Sequence, residues 1–316
     1  MRPTHSRCDG RLAFTLIELL VVIAIITVLV ALAAAGIMGA FGAGTQAKVK
    51  VEIDQLAAAV NLAKTDLGFD YLPSKLVLVE SGSYNMSDPD QSRTARFLQT
   101  AFGKHVLDGP IDWNQNGKMD PAPIVLYADQ SMVFVLGGVP DWGNRDEQTN
   151  SCLGFSTDPR NPMKRPLSPG ETRKGPYFDF KTTQLRLPRI QPDRDDPKIP
   201  LQQKRPLNGF FVYLDGWKTN QPYLYFSSKG KNDYSNTDAI PSPAEVLLGY
   251  TNYNVRPYQE TGARFTNPNS FQIISAGKNG VFGPGGPWNP ATGIPNNTPG
   301  GDDQANFGGA ILASGN

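Results

Sequence analysis

Two groups of residues in this 316-residue chain have types and spacing suited to chemistry. The first is Asp112, Asn114, Asn116 and Asp120, whose oxygen side chains fall at positions 1, 3, 5 and 9 of a run with Gly117 at position 6. Alternate side chains of an extended stretch share one side, and glycine permits the sharp turn that gathers them. Hard cations such as Ca2+ take roughly six to eight oxygen ligands, so the spacing points to Ca2+. Position 12, where a bidentate acid closes such loops, is Pro123, and the same residues also suit a plain Asn/Gly turn. The second is a lone acid, Glu18, at the head of an apolar run with no charge from Leu19 to Met38. If the chain is cut between Ala13 and Phe14, Phe14 gains an α-amine that is largely protonated near neutral pH. Glu18 lies four residues on, one helical turn away. In a stack of parallel helices, one copy's Glu18 would meet the next copy's Phe14 amine, and burial of that pair would penalise every other register.

Other chemistries lack their residues. The two histidines are His5 and His105 and the two cysteines Cys8 and Cys152, so His-based zinc binding and a disulfide within the part after residue 13 are not expected. There is no nucleophile elbow, phosphate loop or HExxH, and an enzyme is not expected. Net charge is +1 with no basic stripe, which argues against nucleic acid; losing residues 1–13 removes three Arg and one Asp and brings the charge to −1.

The elements that would position these groups follow from pattern. Twenty uncharged residues make a helix of about 30 Å, the hydrocarbon thickness of a bilayer. Arg2, Arg7 and Arg11 precede it, which places the leader in the cytoplasm and the rest outside. A secretory signal peptide ending at Ala31-Leu32-Ala33 and a plain signal anchor are the competing readings. Gly36, Gly39, Gly42 and Gly44 then cluster, for close helix approach or for a weakened helix. Beyond Thr45, Val49, Ile53, Leu56, Val60, Ala63 and Leu67 recur at spacings of 4 and 3, one apolar stripe on an amphipathic helix that Gly68 stops. A short helix is expected over 93–102 and strands over 124–127, 132–136, 177–180, 210–214 and 223–227, with 210–227 a hairpin closed by a 215–222 loop. Gly and Pro together make up 59 residues, so the globular part is expected to be rich in loops, with a long surface excursion over 156–206.

The run AFTLIELLVVIAII, residues 13–26, closely resembles the processing site of type IV prepilins and type II secretion pseudopilins. The resemblance implies cleavage before Phe14, methylation of the new N-terminus, and an assembly role for Glu18 as the fifth mature residue; Ala13 stands where the family usually has Gly. It implies an α+β, pilin-like fold: a leader (1–13), a membrane half-helix (14–40), an amphipathic half (41–70) and an exported head (71–316) on a small antiparallel sheet with long loop insertions. It also implies a prepilin peptidase/methyltransferase, an inner-membrane secretion platform, the lipid bilayer and further copies of the chain as partners. The end of the chain resembles that of the major secretion pseudopilin. Residues 271–280 read as a strand running into a Gly turn, and a Gly-rich loop (within 275–307) ends in Asp302-Asp303 before an Asn. That family binds calcium there, so the carry-over is Asp302 and Asp303 with backbone oxygens of 275–280; Asn279 stands where the family has an acid, and an incidental acid pair on a surface loop is the alternative. The resulting expectation is a structural subunit of a secretion pseudopilus, with a pilus subunit or a scarce filament-tip binding protein as alternatives.

Overall fold

A computed structural model describes residues 15–142, 149–187, 208–230, 232–247, 251–260, 264–295 and 297–313. The chain divides into two units, Met1–Thr45 and Gln46–Asn316. One helix, α1 (Leu16–Leu67), contributes to both, and its backbone continues through Gly36, Gly39, Gly42 and Gly44. Glycine costs helix stability but does not forbid the helix.

In the first unit, Leu16–Ala34 is long and apolar enough to cross a membrane. Its large side chains are all exposed, Leu16 at 81% and Leu32 at 69%, as a lipid-facing surface requires. Thr27 bonds its hydroxyl to the Ile23 carbonyl at 2.7 Å, so its polar atom is satisfied within the helix itself.

In the second unit the stripe is buried as its period demands: Val49, Ile53, Leu56, Val60 and Ala63 are fully enclosed and Leu67 nearly so. Burying each large apolar side chain contributes about 1.5–3 kcal/mol, so the stripe holds the helix on the head. The helix ends as the sequence indicates. Gly68 takes φ 68°, and the Phe69 N–H reaches back to the Lys64 carbonyl at 3.0 Å, closing a Schellman turn. There is open space around Gly68, so the cost of Gly68→Ala is the strain of holding a side-chain-bearing residue at a left-handed φ. Chemical denaturation is expected to show a loss of about 1 kcal/mol for Gly68→Ala and less for Gly68→Asn.

Around the helix lie short elements. Strands β1 (Leu76–Leu78) and β2 (Ile124–Leu126) pair antiparallel, Leu76 opposite Leu126. Helix α2 (Pro89–Phe102) covers and extends the helix expected at 93–102; Asp88 caps it by accepting from the Asp90 and Gln91 N–H groups, and Pro89 suits its first turn. The expected strand at 132–136 is instead helix α3 (Ser131–Gly137), buried throughout. An all-apolar run of this length carries no period that separates strand from helix. The expected strand at 177–180 is irregular. Pro176 before it has no N–H to give a ladder, and Phe178 and Phe180 pack as rings, 4.9 Å apart, with Phe180 against Tyr213 at 5.0 Å.

The arms of the expected 210–227 hairpin are joined only at its loop end, by a Leu214–Pro222 bridge and the Tyr223 N–H bond to the Tyr213 carbonyl. Their strands, β3 (Val212–Tyr213) and β4 (Leu224–Ser227), lie in different sheets, β3 paired with Leu185–Arg186. The largest sheet has three antiparallel strands: β6 (Gln304–Ala305), β5 (Phe271–Ser275) and β4, in that order. The rest of the β-structure is two-residue pairs, one of them parallel, Tyr258–Gln259 with Gly286–Pro287. So the fold is α+β, a long N-terminal helix followed by several small sheets rather than a single one. Within the 156–206 excursion, residues 173–174 pair with 155–156, and Arg173 donates to the Leu153 and Gly154 carbonyls; 188–206 lie outside the described residues.

A buried acid joins helix to head. Glu52 is 4% exposed and accepts from Lys181 Nζ (2.6 Å), Tyr213 Oη (2.9 Å), Tyr223 Oη (2.7 Å) and Gln184 Nε2 (3.1 Å). Burial pushes its pKa up, but the four donors together outweigh burial and hold it below the usual glutamate value.

Candidate functional site

Three places hold the residues singled out in the sequence. At the N-terminus, Ala13 and Phe14 lie outside the described residues, and Thr15 is the first described. Glu18 Oε2 accepts from the Thr15 N–H at 2.8 Å and from its hydroxyl at 2.7 Å, and Thr15 Oγ1 accepts from the Glu18 N–H at 3.3 Å. This is a capping box: a Thr at the N-cap and an acid three residues on satisfy each other's backbone donors. Its signature, Thr15-x-x-Glu18, is present in the sequence, and the reading of Glu18 as an isolated charge missed it. In the single chain the carboxylate therefore has a local task at the helix start, on the residue directly after Phe14.

The C-terminal loop brings together the acids that the resemblance indicated. Strand β5 ends at Ser275 and the chain turns over 277–280. Gly277 takes φ 66° with the Asp302 carbonyl packed against it; a Cβ there would stand 2.1 Å from that oxygen, so only glycine fits. Asp303 is fully enclosed. Its Oδ2 accepts from the Gly283 N–H at 2.9 Å and from Tyr258 Oη at 3.1 Å, while its Oδ1 is buried without a partner. Asp302 repeats the pattern: Oδ2 accepts from the Asn279 N–H at 2.7 Å and Oδ1 is buried without a partner. Asn279 spends its own side-chain oxygen on the Val281 N–H at 2.6 Å. Asp215, from the hairpin loop, accepts from Ser275 Oγ at 2.7 Å and from the Trp217 N–H at 3.1 Å. Burial pushes Asp303 up to about 7, with the Asp302 and Asp215 charges adding to it. Asp215 also rises to about 7, by burial first and then the Glu52 charge. Each acid of the pair thus spends one oxygen on a backbone N–H of the 275–283 turn and keeps the other buried and unpartnered, which burial penalises.

The 112–120 loop is arranged differently. Asp112 accepts from the Asn116 N–H (3.1 Å) and Gly117 N–H (2.8 Å), and Asn116 Oδ1 accepts from the Lys118 N–H (2.7 Å). The amides of Asn114 and Asn116 both donate to Asp120 Oδ2, at 2.7 and 2.9 Å. The four candidate residues do converge, but on each other. A fifth joins them: Glu80, 1% exposed, accepts from the Trp113 N–H at 3.1 Å and the Asp120 N–H at 2.6 Å. Burial raises its pKa, and the Asp120 and Asp112 charges add to that. Thus an acid from 40 residues before Asp120 anchors the loop through its backbone, at Trp113 and Asp120. No local pattern could have disclosed Glu80. Among the described residues, no three His, Cys, Asp or Glu side chains gather as a metal site by themselves, so a cation at either loop would need backbone or amide oxygens as well. His105 is an exposed partner of Asp108 at 2.6 Å, and Cys152 is a free, half-buried thiol.

Residues 10–34 match the family model described as the prokaryotic N-terminal methylation motif. No curated protein and no solved structure matches the chain. The matched stretch contains Ala13, Phe14, Thr15 and Glu18 and most of the apolar helix. It supports a prepilin-processed, pilin-like structural subunit rather than an enzyme, and the one long apolar helix among the described residues is in keeping with a single-pass membrane anchor. Such a motif implies processing by a prepilin peptidase and assembly into a filament.

Proposed function

We propose that the mature chain, beginning at methylated Phe14, is a subunit of a type II secretion pseudopilus. The head would stand outside the cytoplasm and the helices of successive copies would form the filament on an inner-membrane secretion platform. The observation that carries the choice of pseudopilus is the C-terminal end: β5, a glycine turn and an acid pair with two orphaned buried oxygens. Cys152 alone remains after residue 13, so the disulfide that commonly closes a pilin's last loop has no second cysteine. The alternatives are a pilus subunit or a filament-tip adhesive protein, the latter favoured by the 156–206 excursion. Mass spectrometry of the membrane-extracted protein is expected to give an N-methylated Phe14 start. Deleting the gene in its own host then separates the readings: exported proteins held inside the cell with pili intact support the pseudopilus, whereas loss of pili with normal export overturns it.

Asp302 and Asp303 would hold Ca2+, with the carbonyls of 275–280 completing its shell; Asp112, Asn114, Asn116 and Asp120 form the second candidate. Calcium neutralises carboxylates that burial otherwise penalises. At about 100 times its Kd it is expected to stabilise the protein by about 2.7 kcal/mol. A thermal melt with calcium or with chelator checks this, and Asp303→Asn is expected to remove most of the difference. Equal melting temperatures in both conditions would sink the calcium reading. Retention of the full shift in Asp303→Asn would move the site to the 112–120 loop.

A further inference from the structure

The acid pair is the immediate neighbour of the strand that grips helix α1. In β6, Gln304 and Ala305 are fully enclosed and pair with Ser275 and Ile274 of β5. Gln304 Nε2 donates to the carbonyl of Gln46, the first residue of the head unit, at 2.8 Å and to the Ala310 carbonyl at 3.1 Å. Its Oε1 accepts from Trp217 Nε1 at 3.0 Å. One turn along the helix, Lys50 Nζ donates to the Ala305 carbonyl at 3.0 Å while pairing with Asp54 at 3.1 Å. Two bonds from a two-residue strand therefore clasp the first turn of α1 that belongs to the head. The preceding residues, Asp302 and Asp303, each carry a buried oxygen with no partner.

We propose that cation binding at the acid pair and the seating of α1 at residues 46–50 are one coupled event, an inference that rests on the calcium reading above. Without the cation, one N–H bond from each acid holds residues 302–303 to the 275–283 turn, and the buried, unpartnered second oxygens weaken that hold. A strand of two residues opens locally at small cost. When β6 leaves, the Gln46 carbonyl and Lys50 lose their bonds to the sheet, and that turn of the helix is held by its own ladder and the Lys50–Asp54 pair alone. The cation ties 302–303 to the turn, keeps β6 in the sheet and so fixes that turn of the helix. A ligand that orders a segment also orders whatever that segment holds.

The test is hydrogen exchange of the full chain in detergent micelles, with calcium chloride or with EGTA, alongside calorimetric titration of calcium. The expected result is that peptides covering 46–56 exchange about tenfold more slowly with calcium, together with 300–307, while α2 is unchanged. Gln304→Met keeps the volume and removes both donors. It is expected to bind calcium yet lose the calcium dependence at 46–56, and Lys50→Met, at a half-buried position that tolerates change, to lose part of it. Calcium binding with protection confined to 300–307 would overturn the coupling alone. Absence of any calcium heat would overturn the cation site, and the coupling with it.

Discussion

Glu18→Val is expected to insert into the membrane as well as the wild-type chain and to yield almost no filament. Valine removes an acid that costs the apolar helix a few kcal/mol at most near its end, so insertion improves or holds. Assembly fails for another reason. On the proposed pairing, each subunit's carboxylate meets the next subunit's Phe14 amine, and removing one partner of a buried pair leaves the other charge uncompensated, at about 3–5 kcal/mol per contact. Repeated at every subunit, that lowers filament yield by more than about two orders of magnitude. The capping box gives Glu18 a second task at Thr15, at 2.8 and 2.7 Å, so a valine alone does not separate the two. Glu18→Gln does: glutamine serves at the third helical position of a capping box but carries no charge. Carbonate extraction reports insertion, and immunoblots of sheared filaments report assembly. Wild-type yield from Glu18→Gln would reduce the acid to a helix cap and end the pairing proposal.

Glu52→Ala is expected to be the most damaging single change in the head, at about 3–5 kcal/mol and a melting temperature lower by on the order of 10 °C. The variant leaves the hydroxyls of Tyr213 and Tyr223 without their acceptor, and each unsatisfied buried donor costs about 1–3 kcal/mol, while the Gln184 amide keeps the Leu214 carbonyl at 2.7 Å. Lys181 adds less, since its side chain is 63% exposed and water replaces its partner. The pH dependence fixes the sign. Glu52 has a folded pKa below the ordinary 4.5, so its contribution is complete above the unfolded value and is lost as the pH falls through the folded one. Thermal melts of wild type and Glu52→Ala should therefore differ most near neutrality and converge in acid. A constant gap across that range would mean that packing, not charge, makes Glu52 matter.

Much of the fold was legible where a period or a stop signal was strong. The Val49 to Leu67 stripe repeats at the helical period, and Gly68 supplies the left-handed residue that ends it, so the helix and its buried face could be read directly. The run at 132–136 could not, because seven buried residues have no wet face to set a period. The aromatic run at 177–180 has the composition of a strand, but its rings fill the space beside Tyr213 and its backbone has no ladder to join. The sites divide in the same way. Thr15 and Glu18 are three apart and their reciprocal bonding is a local signature. Asp112 to Asp120 are local too, and they do converge. Glu80 reaches them only through the fold, and Asp215 reaches Ser275 only through the hairpin, so neither carries a signal in the sequence. The acid pair was found by resemblance; what the fold adds is the pair of orphaned oxygens and the helix beside them.

Thr27 is the one polar side chain between Leu19 and Met38, and its hydroxyl is turned back onto Ile23. Neighbouring spans in an assembled bundle would thus meet along smooth hydrocarbon, with no interlocking bond partway to resist sliding or rotation. In a fibre whose rods were held in register only at their ends, such a stretch would offer little resistance to helices slipping past one another under load.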